Sequence, residues 1–469
     1  MSATIYVRRE VGSLGQDDQT LSAYAAAVDV MQQRPDSDPT SWTFQAAIHG
    51  TLDTNPMPGQ NQCQHATWFF VSWHRMFLYY FERIVRAAVL AAGGPQDWAL
   101  PYWNYELGGP AAAIPAAFRS PTTGGQANPL YVAQRAPGVN AGHALHPQVT
   151  TSQHALSTGA FIGAAEFGGG PTPVLFQQFN GPTGQLEAAP HNAVHDAVGG
   201  GTGWMGDPDQ AAQDPIFWLH HANIDRLWAL WVRNGHADPT DPKWAGQSFS
   251  FFDEKGDQVS MTASQVLDTV VDLGYTYDQF VSAPTPPGPS TPAGGPPPAA
   301  AAQISESLSQ PPELVGGASE PVRLSGDSAE VQIALDQRAV QGASGGGAGA
   351  PSRVLLEIDN IDAERHPGTV YGVYVNLPAG ASSEQEAEHH VGNLSFFGIE
   401  RARNPRGDQP AHGLRFTYDI TGLAQRPGDP ITVTFKPLGL IAPEGEEPAA
   451  REEPEPPATI GSVSVYYAP

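Results

Sequence analysis

Six histidines in two groups of three carry the chemistry this sequence could perform. His49 lies in FQAAIHG, His65 in CQHATWFF and His74 in VSWHRMF. His191 and His195 share PHNAVHD, and His221 lies in DPIFWLHHANIDRLW. His191 and His195 are four apart, so on a helix their imidazoles share one face and can chelate one ion. That pair alone describes two partly exposed histidines on a helix equally well. His74 and His221 fall inside strongly apolar helical patterns, where a neutral imidazole needs partners for its nitrogens and a metal ion supplies one. Either alone also fits a hydrogen-bonded core histidine. The set is what points to metal: two three-histidine groups, no cysteine quartet and no carboxylate cluster beside them. Such imidazole sites suit copper, and also zinc or iron, so the donors leave the metal open.

These side chains need rigid elements beneath them. Residues 68–92, WFFVSWHRMFLYYFERIVRAAVLAA, predict a long helix that stops at Gly93-Gly94-Pro95. A second should start near Asp214-Pro215, carry IFWLHHANIDRLWALWVRNG and stop at Gly235. Residues 104–190 are dominated by Gly, Pro, Ala and Thr and read as long loops with short helices. The stretch 283–303, APTPPGPSTPAGGPPPAAAAQ, cannot bury a core and reads as an extended linker. Beyond it the period changes. VRLSGDSAEVQIALD, RVLLEIDNID, TVYGVYVNL, LRFTYDI, DPITVTFKPLGL and ATIGSVSVYYA alternate or are β-branched, and predict an all-β sandwich of roughly six to eight strands. GASGGGAGAP (342–351) and EGEEPAAREEPEPP (444–457) read as loops within it. The chain therefore divides into a mainly α domain at 1–282, a Pro/Ala-rich linker at 283–312 and an all-β sandwich at 313–469.

Composition bounds the function. A length of 469 residues exceeds one hydrophobic core and favours two domains, with three as the alternative. Lys plus Arg number 23 against 48 Asp plus Glu, a formal charge of −25. So acidic a chain repels nucleic acid and anionic membrane, and neither is an expected partner. Cys63 is the single cysteine, which excludes a disulfide within the chain and a four-thiolate metal site. MSATIYVRRE lacks the basic and apolar regions of a secretory signal, and no window approaches the apolar length of a membrane span. A cytoplasmic protein is expected, with partner-assisted export left open.

CQHATWFFVSWHRMFLYYFERI, PYWNYE, PHNAVHDAVGG and DPIFWLHHANIDRLW resemble the tyrosinase, polyphenol oxidase and molluscan haemocyanin superfamily over most of residues 1–280. LGYTYD (273–278) is similar to the tyrosine motif that closes the family's catalytic domain. The resemblance implies a four-helix bundle around two copper ions, with dioxygen as co-substrate and a phenol or catechol as substrate. It places His49, His65 and His74 on CuA and His191, His195 and His221 on CuB. The signature puts the last ligand four residues before Asp225, which selects His221 and leaves His220 beside it. The implied reactions are hydroxylation of monophenols to o-diphenols and oxidation of o-diphenols to o-quinones. Rival readings are a catechol or o-aminophenol oxidase with no useful hydroxylation, and a haemocyanin-like oxygen carrier. Carriers of that kind are built of repeated units, and this chain shows no repeat.

The resemblance extends to single positions. Cys63, two residues before His65, resembles the C-x-H pair that forms a thioether crosslink in fungal tyrosinases and molluscan haemocyanins. Glu187 and Asn192 match the carboxylate and amide to which the family's proton-accepting water is attributed. Phe70, Phe77, Phe217 and Trp218 would keep the site dry, with Phe217 on the substrate pocket. Asp196 follows a CuB ligand and is expected at the pocket mouth, where it should disfavour carboxylated substrates. Pro208 falls on the gate position that holds a bulky Phe in many plant enzymes, implying a more open CuA side. Asn104 stands where the family usually has Asp. VYGVYVNL, GNLSFFG, DITGLAQRPGDPITVTFKPLG and ATIGSVSVYY are similar to the C-terminal domain of plant-type polyphenol oxidases, which can shield the copper site. Its GNLSFFG segment then offers Phe396 and Phe397 as apolar groups to plug the pocket.

Overall fold

The computed structural model describes residues 4–15, 18–174, 176, 179, 181–282, 311–336, 353–405, 410–424, 429–448 and 456–468. The Pro-rich stretch 283–303, the 342–351 loop and residues 449–455 of the acidic loop lie outside them.

Five helices frame the first domain: α1 (Thr20–Gln32), α2 (Trp42–His49), α3 (Phe70–Ala91), α4 (Ala193–Gly199) and α5 (Pro215–Arg233). α3 is buried along most of its length and ends where Gly93 takes a left-handed φ of 78°, as the Gly-Gly-Pro stop predicts. α5 starts at Asp214, whose carboxylate accepts from Ile216 N–H at 3.1 Å, with Pro215 as first residue. Phe81 of α3 stacks on Trp218 of α5 with ring centroids 3.3 Å apart, which joins the two long helices. The histidine-bearing helices α2 and α4 have only 8 and 7 residues. The helical core is thus two long helices with two short ones laid against them, and a regular four-helix bundle is not marked out.

A buried ionic knot fixes α3 against α5. Asp225 of α5 accepts from Arg75 of α3, from Arg8 at 3.0 Å and from Tyr275 at 2.6 Å, while Arg8 also reaches Glu82 at 2.7 Å. Arg8 belongs to β1 (Tyr6–Arg8), which pairs in parallel with β2 (Tyr275–Tyr277). The tyrosine motif therefore carries hydroxyls that satisfy the carboxylate four residues after His221. Losing one member of such a set strands the rest, at a cost of about 3–5 kcal/mol.

The C-terminal region holds nine strands among the described residues: β3 (Glu313–Ala318), β4 (Val322–Leu324), β5 (Ala329–Ile333), β6 (Arg353–Ala363), β7 (Val370–Val375), β8 (His390–Leu394), β9 (Leu414–Asp419), β10 (Ile431–Leu438) and β11 (Ala458–Ala468). One antiparallel sheet runs β9-β6-β11-β3 with β4 also on β11, and the other runs β8-β7-β10-β5. The count exceeds six to eight because β3 and β8 carry glycines that read as turns. At Gly316 a Cβ would come within 2.7 Å of Leu335 Cδ2, so close packing explains that glycine.

The β region is docked on the helical domain. Gln185 Nε2 donates to Thr417 O at 2.9 Å, Asn393 Nδ2 to Gln148 O at 2.6 Å, and Arg353 pairs with Glu166. Ala144 and Ile441 exchange backbone bonds at 2.8 Å.

Candidate metal centre

Each histidine of the set arrives from a different local context. His49 is the last residue of α2 and His74 sits one turn into α3. His65 lies on the loop before α3, where Ala66 takes a φ of 48°. His191 closes an irregular turn, Glu187–Asn192, that runs into α4 and His195. His221 comes from α5.

All six are buried, and their rings form one cluster. His49, His74 and His221 each bring a ring nitrogen within 4.8 Å of the others, as do His191, His195, His220 and His221. His195 Nε2 and His221 Nε2 are 3.4 Å apart. Four of the rings are oriented from behind. Nδ1 donates to Pro208 O from His49 (2.9 Å), to Phe70 O from His74 (2.8 Å), to Met205 O from His195 (2.7 Å) and to Asn192 Oδ1 from His191 (2.7 Å). Each such bond fixes the tautomer that leaves the Nε2 lone pair facing the cluster. His74 Nε2, His191 Nε2, His221 Nδ1 and both nitrogens of His65 have no hydrogen-bond partner among the described residues. Buried polar atoms of this kind are costly unless something absent from the chain satisfies them.

Charge agrees with geometry. Burial pushes the His49 imidazole down to about 4, and burial with neighbouring imidazoles pushes His65, His74, His191, His195 and His221 well below their ordinary range. The rings are neutral at physiological pH, the form that ligates metal. Aromatic rings close the surroundings: Phe70 lies 4.6 Å from His191, and Phe217 lies 4.2 Å from His221 and 5.0 Å from His49, centroid to centroid. His220 also belongs to this cluster, and its Nδ1 lies 3.3 Å from the hydroxyl of Tyr105.

Residues 39–234 match the family model of the common central domain of tyrosinase, and 238–285 the polyphenol oxidase middle domain. Tyrosinase HcTyr1 of Hahella sp. (strain CCB-MM4) is 34% identical over 439 residues, 86% of this chain and 88% of that protein. The chain belongs to the tyrosinase family. Its members are binuclear copper oxidoreductases that use dioxygen, and the cluster of neutral, rear-oriented imidazoles fits that pair of ions. Polyphenol oxidase A1 of Vicia faba is 31% identical over 294 residues, yet the chain covers only 46% of it, about half of that plant relative. Residues 311–468 match a family model described as a domain of unknown function. Latent apple tyrosinase shares the fold with a TM-score of 0.65 at 22% identity, covering 100% of this chain and 98% of that one. Latent aurone synthase (polyphenol oxidase) does so with 0.63 at 21%.

The other expected positions divide. Glu187 is buried, one carboxylate oxygen accepting from Ala66 N–H at 2.7 Å, and burial raises it to about 8. Its second oxygen has no hydrogen-bond partner among the described residues. Asn192 Oδ1 accepts from His191, and its NH₂ can serve a water. Pro208 lines a cleft of about 360 Å³ at the seam between the two domains, shared with Leu52, His366 and Arg401. Asn104 Oδ1 faces Arg226 at 3.4 Å. Cys63 is buried, with Sγ and ring nitrogens of His49 and His65 all within 4.8 Å of one another.

Two expectations need correction. Asp196 is not at an open mouth: it is 0% exposed and held by the C-terminal domain. Of the two candidate plugs, Phe396 packs on Tyr371 and His366 instead. Phe397 is the one at the cluster, stacked on His195 at 4.2 Å and 22° and edge-on to His65 at 5.6 Å. Phe179, which no motif singles out, covers His65 from 4.9 Å. Gly398 makes the insertion possible. Its φ is 81°, and a Cβ there would meet the Phe179 ring at 2.1 Å.

Proposed function

We propose that this chain is a latent phenol oxidase that hydroxylates monophenols to o-diphenols and oxidises o-diphenols to o-quinones. His49, His65 and His74 hold one copper, and His191, His195 and His221 the other. The buried Glu187 carboxylate beside the imidazole cluster carries the monophenolase part of this reading. The bound copper pair supplies the electron transfer between phenol and dioxygen. The chain's own residues orient and dry the site, and move one proton. Ala66 N–H anchors one oxygen of Glu187, leaving the second to hold a water jointly with the Asn192 amide NH₂. That water accepts the phenol proton on its way to Glu187. Cationic charge brought to the imidazoles favours the carboxylate form against the burial that raises it.

Glu187→Gln should therefore slow tyramine hydroxylation by about 100-fold, the scale of a lost general base, while catechol oxidation changes by less than about threefold. Initial rates on both substrates check this, and equal losses would remove Glu187 from proton transfer. The broader test is a panel of tyramine, tyrosine, catechol and 2-aminophenol on copper-loaded, unshielded protein. Turnover of catechol and 2-aminophenol without tyramine would make it a diphenol oxidase, and no catechol turnover at all would make it an oxygen carrier.

Cys63 and His65 are proposed to join in a thioether, which would hold a ligand that sits on a loop with no backbone bond behind its ring. Peptide mapping of copper-loaded protein should then find the two residues in one crosslinked species, two hydrogens lighter than the free peptide. Cys63→Ser should keep the fold and retain copper less well. A fully alkylatable Cys63 in active enzyme would refute the crosslink.

A further inference from the structure

Away from the six clustered ligand histidines, two imidazoles from different domains face each other across the seam. His154 lies in the short helix Gln153–Ser157 of the helical domain, and His390 opens β8. His154 Nε2 and His390 Nδ1 are 3.5 Å apart. The surroundings of His390 fix which of its nitrogens carries the proton. Asn393 Nδ2 donates to Gln148 O at 2.6 Å, so Asn393 Oδ1 is the acceptor that meets His390 Nε2 at 3.0 Å. The proton therefore sits on Nε2, and the Nδ1 lone pair is turned to His154. At this separation a hydrogen bond between the rings is poor, since good ones lie at about 2.7–3.2 Å. Two nitrogens bound to one tetrahedral ion at about 2.0–2.1 Å stand about 3.3–3.4 Å apart, close to the spacing found.

Other requirements of a metal site are met as well. Burial first, and then His154, hold His390 down to about 3, and burial lowers His154, so both rings are neutral, the form that ligates. Asn393 backs His390 as an outer partner that fixes ring and tautomer. His154 is only partly buried and lines a cleft of about 450 Å³ with Val391, Glu166, Asp419 and Arg353, which gives an ion and its waters a way in. Glu166 and Asp419 share the one Arg353 guanidinium, two carboxylates to one cation, so the cleft attracts positive charge.

We infer that His154 and His390 form a divalent transition-metal site that ties the C-terminal domain to the helical domain, with water from the cleft completing the coordination. Imidazole donors of this kind suit zinc and divalent copper. The site uses none of the six histidines assigned to the copper pair. It exists only while the two domains are docked, so a bound ion strengthens docking by mass action.

Zinc is the probe, added to copper-loaded, full-length protein so that the two triplets are already occupied. Metal analysis should find a third ion per chain, a zinc, and cobalt in its place should show the intense visible bands of tetrahedral coordination. His154→Gln and His390→Gln keep polar side chains in the seam. Each should weaken zinc binding by about 100-fold or more, since losing only a bond behind a ligand costs about 10–100-fold. At zinc ten times its Kd, amide exchange of β8 through opening of the seam should slow about tenfold, and His390→Gln should remove that slowing. No third ion, zinc binding unchanged in either variant, or unchanged exchange while zinc is held would overturn the inference. Should a variant fail to fold, the cobalt spectrum of the unaltered protein decides, and weak octahedral bands would overturn it. Copper content and catechol turnover test the phenol-oxidase reading separately, so failure of one is distinguishable from failure of the other.

Discussion

His195→Ala or His221→Ala should abolish the intense near-ultraviolet band that forms when the reduced, copper-loaded protein is oxygenated. Both rings are fully enclosed, and His195 is held by a 2.7 Å bond to Met205 O that fixes its donor atom. Losing one such hydrogen bond behind a ligand costs a metal site about 10–100-fold in affinity, so losing the ligand itself should exceed about 100-fold. Copper analysis should fall from two ions per chain towards one, because the other triplet keeps its donors. Tyr105→Phe makes the contrast. It touches His220 and none of the six, so band and copper content should persist. One metal per chain in the unaltered protein, or zinc kept at both triplets under excess copper, would refute the dicopper assignment.

The histidines were legible because metal ligation leaves local traces. His191 and His195 show helical spacing, and His74 and His221 interrupt apolar helices whose ends are written in Asp214-Pro215 and Gly93-Gly94-Pro95. What lies behind them was not legible. The carbonyls of Pro208, Phe70 and Met205 that orient three of the rings are backbone atoms, which any residue supplies. Asp196 shows the limit most clearly. Its sequence neighbours place it beside a ligand, but its hydrogen-bond partners stand 170 to 200 positions away and decide whether it meets solvent or protein. The same distance separates Phe397 from the ring it covers, and only Gly398, read against Phe179, explains how the chain turns to bring it there. Strands β3 and β8 were missed because a glycine demanded by close packing looks like a turn until its neighbours are known.

Phe397→Ala should raise phenol oxidase activity of the full-length protein by about 10-fold or more. A shield that is closed 99% of the time leaves roughly 1% of sites open, and a tethered domain reaches that ratio with modest contacts. Truncating a well-packed Phe costs about 3 kcal/mol, enough to bring a 99:1 population near parity. Acid should open the same seam. His154 of the helical domain faces His390 of β8, with ring nitrogens 3.5 Å apart. Asn393 Oδ1 lies 3.0 Å from the other nitrogen of His390, the Tyr374 ring is 5.4 Å away, and His146 adds like charge when protonated. Burial first, and then His154, hold His390 down to about 3, and burial also lowers His154. When the seam opens, both rings regain an ordinary value near 6.5. Between about 6.5 and 3 the open state therefore binds more protons, so closure weakens as pH falls, while above about 7 it is insensitive to pH. Limited proteolysis should accordingly run faster at pH 5 than at pH 7.5, and His390→Gln, which keeps a hydrogen-bonding side chain but cannot charge, should flatten that difference. A pH dependence unchanged in His390→Gln would move the acid response elsewhere. Unchanged turnover in Phe397→Ala would show that this domain does not shield the site.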